Sequence, residues 1–337
     1  SDMLFSLFNT NLMIIPKFDL VNTFFSQGYI NRNSIQSNYS KFETLIQLSN
    51  LAGKFKYQVG GKINYMLKIS NISMPEIFFN PEVMISYQEN KSKFHPYLTI
   101  SGGIDLNSYR KASYFNPYVA PTLNLIPTQN LYKGKFGVKS SINSRIEFIL
   151  GTHFSRQKND FLFKRYAYDN TVIDGYRLAN SFGLVYDDIT KFGFYSELVF
   201  RYNDENTFKF SFISYDYDQK RLSNVWNLPE FESSIELKLR IKDKLNLNMR
   251  ARLLGERTSA YRNVFLNQNI EDSPTTPKYL STLTQLKTEF NYRLAEKLQT
   301  YVRMQFNFGK DMNQWDYYII NENLFLGGIR YSFDLTF

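Results

Sequence analysis

The sequence predicts an all-β protein, a transmembrane antiparallel up-and-down β-barrel of about 14 strands, and three observations indicate this fold class. The last nine residues, 329–337, alternate apolar and polar side chains and end on an aromatic residue. Aromatic residues make up 17% of the chain and are mostly the strand formers Phe and Tyr. Short connections alternate with long ones, as they do at the two rims of a barrel.

The C-terminal strand has one apolar face. This face carries Ile329, Tyr331, Phe333, Leu335 and Phe337, because successive side chains of a strand point to opposite sides. A chain that ends inside a strand needs a neighbour to close over it, and a closed sheet supplies one. A terminal Phe preceded by alternating apolar residues resembles the assembly signal of bacterial outer-membrane β-barrels. That resemblance implies recognition by the barrel assembly machinery.

Composition predicts one large domain over residues 1–337 and argues against several other classes of protein. No composition break divides the chain, and we take residues 1–21 as an N-terminal lead-in, with 1–3 resembling a vector remnant rather than a signal peptide. No run approaches the ~18 apolar residues that a spanning helix needs. The charge of +9 is spread over single Lys and Arg residues between apolar ones, which argues against nucleic-acid binding. The absence of Cys fits a protein that crosses an oxidising periplasm.

The alternation defines the strands one by one. Treating 180–203 as a single bulged strand keeps the number of strands even. The predicted strands are 22–30, 38–50, 55–70, 80–89, 95–107, 132–142, 144–157, 180–203, 207–218, 231–242, 245–256, 280–294, 298–309 and 323–337. Two tight hairpins are the clearest elements, one turning at Asp243–Lys244 and the other at 295–297. Sixteen strands is the nearest alternative count.

The connections fall into two classes. The short turns are near 51–54, 90–94, 143–144, 203–206, 243–244 and 295–297. The long connections are 108–130, 158–179, 219–230, 257–279 and 310–322. Outer-membrane barrels have short periplasmic turns and longer outer loops, so we expect the two classes at opposite rims.

A soluble β-sandwich is the competing fold, since its strands alternate with the same period but turn their apolar faces inward. Strands of about 12–16 residues, the closing aromatic and a polar face rich in charge rather than Ser and Thr favour the barrel. In hydrocarbon every backbone group must be paired internally, and a closed antiparallel barrel meets that demand.

The last hairpin carries a family resemblance. The strand from Leu298 to Lys310 with its loop to Trp315, and the strand from Phe325 to Phe333 containing Gly327–Gly328 and ending in Tyr-Ser-Phe, resemble the last two strands of TonB-dependent-receptor-like barrels. The resemblance implies an outer-membrane location and a role in uptake. Receptors of that family have about 22 strands and a plug, and neither fits in this chain.

The opposite face of the strands is predicted to line the lumen with charge. The candidate lining residues are Lys62, Glu197, Lys238, Arg240, Arg250, Arg252, Lys287, Glu289, Arg293, Arg303 and Arg330. One interpretation is a water-filled pore that favours anions. The other is a network of cross-strand ion pairs that fills the interior and leaves no conduit.

Catalytic and metal chemistry have little support. His153 and Ser155 share one strand face, which is the arrangement of lipid-cleaving outer-membrane enzymes, but that face is the lumenal one and Arg156 stands where those families have Asn. His95 precedes a proline at a turn, where a histidine is usually solvated. Acidic residues at 216–218 and Asp316 in predicted outer loops are read as solvated rather than as Ca²⁺ ligands. We predict no catalytic residue, no metal site and no cofactor.

The sequence therefore favours a transport or pore protein of the bacterial outer membrane, TonB-dependent-receptor-like or porin-like. The alternative is a structural or interaction subunit with a filled lumen, whose aromatic loops at 108–130 and 257–279 bind a partner protein. A lipid-hydrolysing barrel is a distant third. The expected partners are outer-membrane lipid, the assembly machinery at the C-terminal strand and a protein at the outer loops.

Overall fold

The computed structural model describes residues 3–7, 10–28, 33–68, 76–89, 92–166, 178, 180–261, 276–321 and 323–333. Within these ranges the chain is almost entirely antiparallel β-structure, with one short helix, α1 (Tyr109–Phe115). The helix starts at Ser108, whose side chain accepts a hydrogen bond from the Lys111 amide, so Ser108 is a regular N-cap. No described helix is long and apolar enough to cross a membrane.

The strands follow one another along the chain with few interruptions. They are β1 (Met3–Leu7), β2 (Thr10–Phe25), β3 (Ile35–Ala52), β4 (Phe55–Lys68), β5 (Glu76–Tyr87), β6 (Phe94–Asp105), β7 (Thr128–Ser141), β8 (Ile146–Arg165), β9 (Phe182–Arg201), β10 (Thr207–Ser214), β11 (Asp216–Gln219), β12 (Phe231–Ile241), β13 (Leu245–Leu254), β14 (Arg257–Tyr261), β15 (Thr276–Leu280), β16 (Leu283–Ala295), β17 (Leu298–Phe308), β18 (Asn313–Trp315), β19 (Tyr318–Ile319) and β20 (Asn323–Tyr331).

One 16-stranded sheet contains most of these strands. Its order is β1-β2-β3-β4-β5-β6-β7-β8-β9-β10-β12-β13-β16-β17-β20, with β11 paired to β9 beside β10. Neighbours in this order are also consecutive in the chain apart from β11 and two small hairpins, β14–β15 and β18–β19. The up-and-down topology is therefore confirmed. Pairing between β1 and β20, which would close the wall, is absent among the described residues, so closure stays a prediction.

The predicted strands all have a counterpart, and the differences lie at two places. Residues 1–21 are not a lead-in, because β1 and most of β2 fall there. The apolar run 12–15 followed by Pro16 hides the alternation that identifies a strand. The predicted strand 207–218 is two strands, because pairing with β9 is interrupted at residues 214–215, where the Ser214 carbonyl oxygen lies 2.8 Å from His153 Nε2. The count reaches 16 only when β1 and β11 are included.

Turn chemistry explains why one rim has short connections. The Asn143 side chain accepts from the amides of Arg145 and Ile146 at 2.8 and 3.0 Å, and Asn203 caps its turn in the same way. Lys242 and Asp243, in the three-residue connection between Ile241 and Leu245, both have positive φ, 49° and 52°. The long connections alternate with these turns along the antiparallel order and therefore lie at the opposite rim, as predicted.

The apolar face of the sheet is exposed. Its large side chains lie open to the surroundings along most strands, for example Phe18 at 65%, Phe79 at 77% and Phe194 at 60% exposure. A β-sandwich would bury this face against a second sheet. The buried apolar residues lie instead mainly at the long-loop rim, so the apolar faces are not packed on one another and the sandwich alternative is not supported.

The polar face is the concave one. Side chains of strands two or three places apart in the sheet touch across it: the hydroxyls of Tyr97 on β6 and Tyr195 on β9 are hydrogen-bonded. The Lys41 ammonium on β3 donates to the Ile104 carbonyl on β6 at 2.9 Å, and the Asn80 amide on β5 to the Asn130 carbonyl on β7 at 3.1 Å. Such contacts require a sheet that curls around its polar side.

Glycines permit the closest of these crossings. A Cβ on Gly151 would lie 2.5 Å from the Phe136 carbonyl oxygen and 2.6 Å from the Tyr195 hydroxyl, whereas a Cβ on Gly327 would meet nothing nearer than 3.7 Å. We expect Gly151→Ala to destabilise the sheet by about 1–3 kcal/mol through overpacking, and Gly327→Ala to change little. Guanidinium titration of both variants in detergent tests this; equal midpoints would contradict the close approach.

Candidate functional site

The concave face brings the predicted lumen-lining residues together. The pairing register places all eleven on this one face. For example, Glu197 pairs with Ser211, and the next partners across the sheet are Ser234 and Arg252. Lys62 lies beside Asn80, and Arg293 beside Gln299 and then Arg330. Their assignment to the lumen of a closed barrel stays a prediction, since that assignment requires closure.

Seven of the eleven are in ion pairs with a neighbouring strand or turn. The pairs are Lys62–Glu82, Glu197–Lys209 at 2.7 Å, Arg240–Asp243 at 3.2 Å with Glu205 also in contact, Arg250–Glu236 at 3.4 Å, Arg252–Glu232 at 2.7 Å and Glu289–Arg303 at 2.7 Å. Most of these side chains are about one-third to one-half exposed, so each pair contributes little to stability on its own. Their main effect is to fix the positions of the charges.

The other four candidates are cations that lack a carboxylate within ion-pair distance among the described residues. They are Lys238, Lys287, Arg293 and Arg330, and all four are exposed. The Arg330 guanidinium lies 5.8 Å from the centre of the Tyr301 ring, which is a cation–π contact. The pairing network therefore leaves a positive excess on β12, β16 and β20.

The N-terminal half of the concave face is filled by a buried polar network. Lys41 is only 4% exposed and its ammonium contacts Asp19 at 3.1 Å and Glu43 at 3.2 Å. Asn64 donates to Asn80, and the Gln157 amide donates to the Asn130 side chain at 2.8 Å. Each contact replaces water on a buried polar group. This part of the wall has the ion-pair and amide network that the filled-interior interpretation requires.

The C-terminal half is open instead. A groove of ≈ 510 Å³ lies between Lys238, Lys287 and Leu326, and a second of ≈ 440 Å³ lies between Lys238 and Arg330. The two grooves share Lys238, Asn248 and Glu289 and therefore form one continuous depression. We call it the basic groove.

The long loops form a compact layer that we call the cap. It consists of the loops 106–127, 220–230 and 309–321, the β14–β15 hairpin and the outer ends of β8 and β9 (158–165 and 182–189). The β8–β9 hairpin is buried on both faces. Phe163 and Leu184 pack with Leu123 and Trp315 on one side, and Val185 packs with Trp226 and Ala260 on the other.

Ionic contacts bind the cap loops to one another. Asp316 is 1% exposed and contacts the Lys278 ammonium at 2.8 Å and Arg165 Nε at 3.2 Å, so it joins three loops. Arg257 is 4% exposed and donates to the Asn313 carbonyl at 2.9 Å. Burial, aided by the charge of Arg252, lowers the pKa of Arg257 to about 10, so it is still a cation at neutral pH.

Asp187 anchors the loop 220–230. Its buried carboxylate accepts from the amides of Leu222 at 2.7 Å, Arg221 at 2.8 Å and Asp188 at 2.8 Å. Burial alone would raise the pKa of Asp187, but these hydrogen bonds outweigh it and hold the pKa below its usual value. A lowered pKa stabilises the fold above the unfolded pKa of about 4, and that contribution is lost as the pH falls through the folded pKa.

We expect Asp187→Asn to release this loop at neutral pH, with a cost of about 1–3 kcal/mol for the donors it leaves weakly paired. Hydrogen exchange at the Arg221 and Leu222 amides measures this, and acidification should release the native loop but change the variant little. Asp218→Asn, which changes an exposed carboxylate of β11, is the control. Unchanged exchange in the Asp187 variant would contradict the anchor.

Comparison with known proteins gives matches among solved structures only, since no family model and no curated protein matches the chain. The siderophore receptor PirA from Acinetobacter baumannii is 12% identical, with TM-score 0.63, covering 98% of this chain and 53% of its own. The FrpB iron transporter from Neisseria meningitidis is 10% identical, with TM-score 0.62, over 96% and 53%. The pyoverdine outer membrane receptor FpvA from Pseudomonas aeruginosa is 13% identical, with TM-score 0.55, over 88% and 48%.

The chain shares the antiparallel up-and-down fold of part of the TonB-dependent outer-membrane receptors. This confirms the resemblance noted in the last hairpin, at the level of fold. The chain spans about half the length of the receptors that it matches. The expected location in the bacterial outer membrane is supported by the same neighbours.

Three of the five assembly-signal residues lie in the described part of the chain. Ile329, Tyr331 and Phe333 are 70%, 52% and 77% exposed. Leu335 and Phe337 lie outside the described residues. Recognition of this segment by the assembly machinery stays a prediction.

The His153–Ser155 pair is not arranged as a nucleophile and base. Both lie on the concave face, as expected, and both are nearly buried. The His153 Nε2 atom is 2.8 Å from the Ser214 carbonyl oxygen, and its ring packs edge-on against Tyr215 at 5.1 Å. These contacts fix the imidazole at the point where β10 ends, which is a structural role.

The remaining candidates differ in outcome. His95 Nδ1 lies 3.3 Å from the Tyr87 carbonyl oxygen at the short-turn rim. Asp216 and Asp218 are exposed, whereas the expectation of a solvated Asp316 is wrong, because Lys278 and Arg165 bury it between loops. No group of three potential metal ligands occurs in the described part of the chain.

Sequence reasoning missed the cap. Trp226 and Arg257 were not predicted as buried residues because they lie in connections without periodicity, and Asp187 was not because it lies within a predicted strand. One signal was available: the only two tryptophans of the chain both lie in polar long loops, where a large aromatic side chain is unusual unless it is buried.

Proposed function

We propose that this chain forms the wall and cap of a transport barrel in the bacterial outer membrane, as one β-barrel domain over residues 1–337. The observation that carries the proposal is the sidedness of the sheet, with exposed apolar side chains on the convex face and charge on the concave face. Lipid on one side and water on the other is the environment in which both faces are stable. The receptor and transporter neighbours agree with a transport role rather than an enzymatic one.

The cap is the proposed recognition surface for cargo. FpvA was solved bound to pyoverdine, and PirA is named a siderophore receptor, so ligand binding is a property of those neighbours. In this chain the cap has a core of its own and exposes aromatic side chains such as Tyr114 at 85% and Tyr317 at 59%. A rigid cap with exposed rings is suited to bind a bulky ligand before it enters the wall.

Planar-bilayer recording tests the transport proposal. The full chain, refolded in detergent and added to a bilayer, is expected to give discrete conductance steps in KCl. The same amount of protein left unfolded in urea is the control and should give none. Silence of the folded protein would count against an open wall.

A second function, a structural or interaction subunit, is favoured by one observation, the buried network that fills the concave face from β3 to β9. In that case the cap binds a partner protein; the neighbour FpvAI was solved in a complex with the protein pyocin S2. Co-purification of a stoichiometric protein that is lost on deletion of loop 106–127 would favour this alternative. Lipid hydrolysis that is abolished by Ser155→Ala would instead support the hypothesis of a lipid-hydrolysing enzyme. Membrane lipid is a proposed partner and nucleic acid is not.

A further inference from the structure

The basic groove has an internal charge imbalance that the pairing register makes explicit. Two adjacent rows of side chains cross it, each running over β12, β13, β16, β17 and β20. The first row is Glu236, Arg250, Lys287, Gln305 and Leu324. The second row is Lys238, Asn248, Glu289, Arg303 and Leu326.

Each row contains one carboxylate and two cations. In both rows the carboxylate forms an ion pair with the arginine: Glu236 with Arg250 at 3.4 Å and Glu289 with Arg303 at 2.7 Å. The lysine of each row, Lys287 or Lys238, has no carboxylate within ion-pair distance in the described ranges of the chain. Leucine occupies the β20 position of both rows, so that strand supplies no countercharge.

The excess continues toward the short-turn rim. A further row two steps away holds Arg293, Gln299 and Arg330, with two cations and no carboxylate. From Lys287 to Arg293 along β16 is about 20 Å, at roughly 3.4 Å per residue. Arg330 lines the second groove, where Asp204 and Glu205 lie near the paired Arg240, so the unpaired positive charge is at the two ends of the groove.

We propose that the basic groove binds a small multivalent anion, with carboxylate or phosphate groups held by Lys238 and Lys287. Each ammonium offers three donors and no acceptor, and the paired arginines keep the nearby carboxylates from neutralising the lysines. Confinement between strand walls raises the local concentration of a ligand of opposite charge. The inference rests on the proposed function for the assignment of the concave face as the lumen, and it names the charge class of what passes there.

The test is equilibrium binding to the full folded chain in detergent, which needs no open conduit. Inorganic pyrophosphate and citrate are the two anionic probes, titrated by calorimetry at low ionic strength, with spermidine as a cation of opposite charge. We expect both anions to bind and spermidine not to bind. Binding should weaken as salt is raised, because the contacts are exposed to water.

The decisive variant is Lys238→Gln with Lys287→Gln. A contact between unit charges about 4 Å apart in water changes a binding constant about fivefold, so loss of both lysines should weaken pyrophosphate binding about twentyfold. Lys93→Gln with Lys220→Gln removes the same charge from two exposed positions outside the groove and is the matched control. Equal weakening in the two double variants, or no binding to the native chain, would overturn the proposal.

Two further double variants keep the proposal testable if the Lys238→Gln, Lys287→Gln variant does not fold. Lys238→Arg with Lys287→Arg keeps the charge and should keep binding within about threefold. Arg293→Gln with Arg330→Gln removes the excess at the rim and should weaken binding; an unchanged constant there, with loss in the arginine variant, would also overturn the proposal. Conductance without anion binding would reject this inference alone, and anion binding without conductance would reject only the transport function.

Discussion

Replacing Asp316 with alanine is expected to destabilise the cap by about 3–5 kcal/mol, because the change removes one partner of a buried ion pair and leaves the other in place. Asp316 is 1% exposed and contacts both Arg165 and Lys278. The Arg165 side chain is only 9% exposed, so water cannot fully replace the lost carboxylate. The three loops that Asp316 joins should then separate more easily than the wall unfolds.

Tryptophan fluorescence measures this directly. Both tryptophans lie in the cap, and Trp315 packs against Phe163 and Phe182 with ring centres 5.2 and 5.5 Å apart. We expect a red-shifted emission and a cap transition at lower guanidinium concentration in the Asp316 variant, with β-sheet circular dichroism retained. Asp311→Ala, an exposed carboxylate of the same loop, is the control. Identical transitions in the two variants would show that the ion pair does not hold the cap.

A charge on the convex face is the second change with a large expected effect. Ile235 lies on the apolar face of β12, in register with Phe210 and Ala251 near the middle of the wall. We expect Ile235→Arg to reduce the free energy of unfolding in phospholipid vesicles by about 2–4 kcal/mol, as charges near the bilayer midplane do in outer-membrane barrels.

Ser234→Arg is the matched control one residue away. Ser234 is on the concave face, between Glu232 and Glu236 on the same strand and opposite Arg252, so an added guanidinium meets water, two carboxylates and one paired cation. Its cost should be under about 1 kcal/mol, the range of an exposed ionic contact. Guanidinium titration in vesicles compares the two. Equal costs would reject the assignment of the convex face to lipid.

The alternation of apolar and polar residues predicted most strands of the wall and their two faces. Ile235 and Glu236, or Val302 and Arg303, point to opposite faces because a strand repeats every two residues, and the register places them as the pattern predicted. The method failed at residues 12–16, where both faces are apolar and a proline interrupts the pattern. It also failed at Tyr215, where pairing with β9 is interrupted beside the contact of His153 with Ser214.

The candidate groove shows the same division. The sequence identified the charges on the polar face but left open whether they pair. Pairing depends on which strand lies beside which and at what register, because ions one row apart are separated by about 7 Å and interact weakly in water. Only the register shows that Glu236 and Glu289 go to arginines and leave Lys287 and Lys238 unpaired.

The sequence by itself determined the all-β class, the order of the strands, their two faces and the rim of long loops, because each follows from the side chains of neighbouring residues. The tertiary structure alone decided the buried ionic contacts of the cap, the filled and open halves of the concave face and the unpaired lysines. Those features join residues far apart in the chain, and their energies depend on distance and burial, which no local pattern encodes.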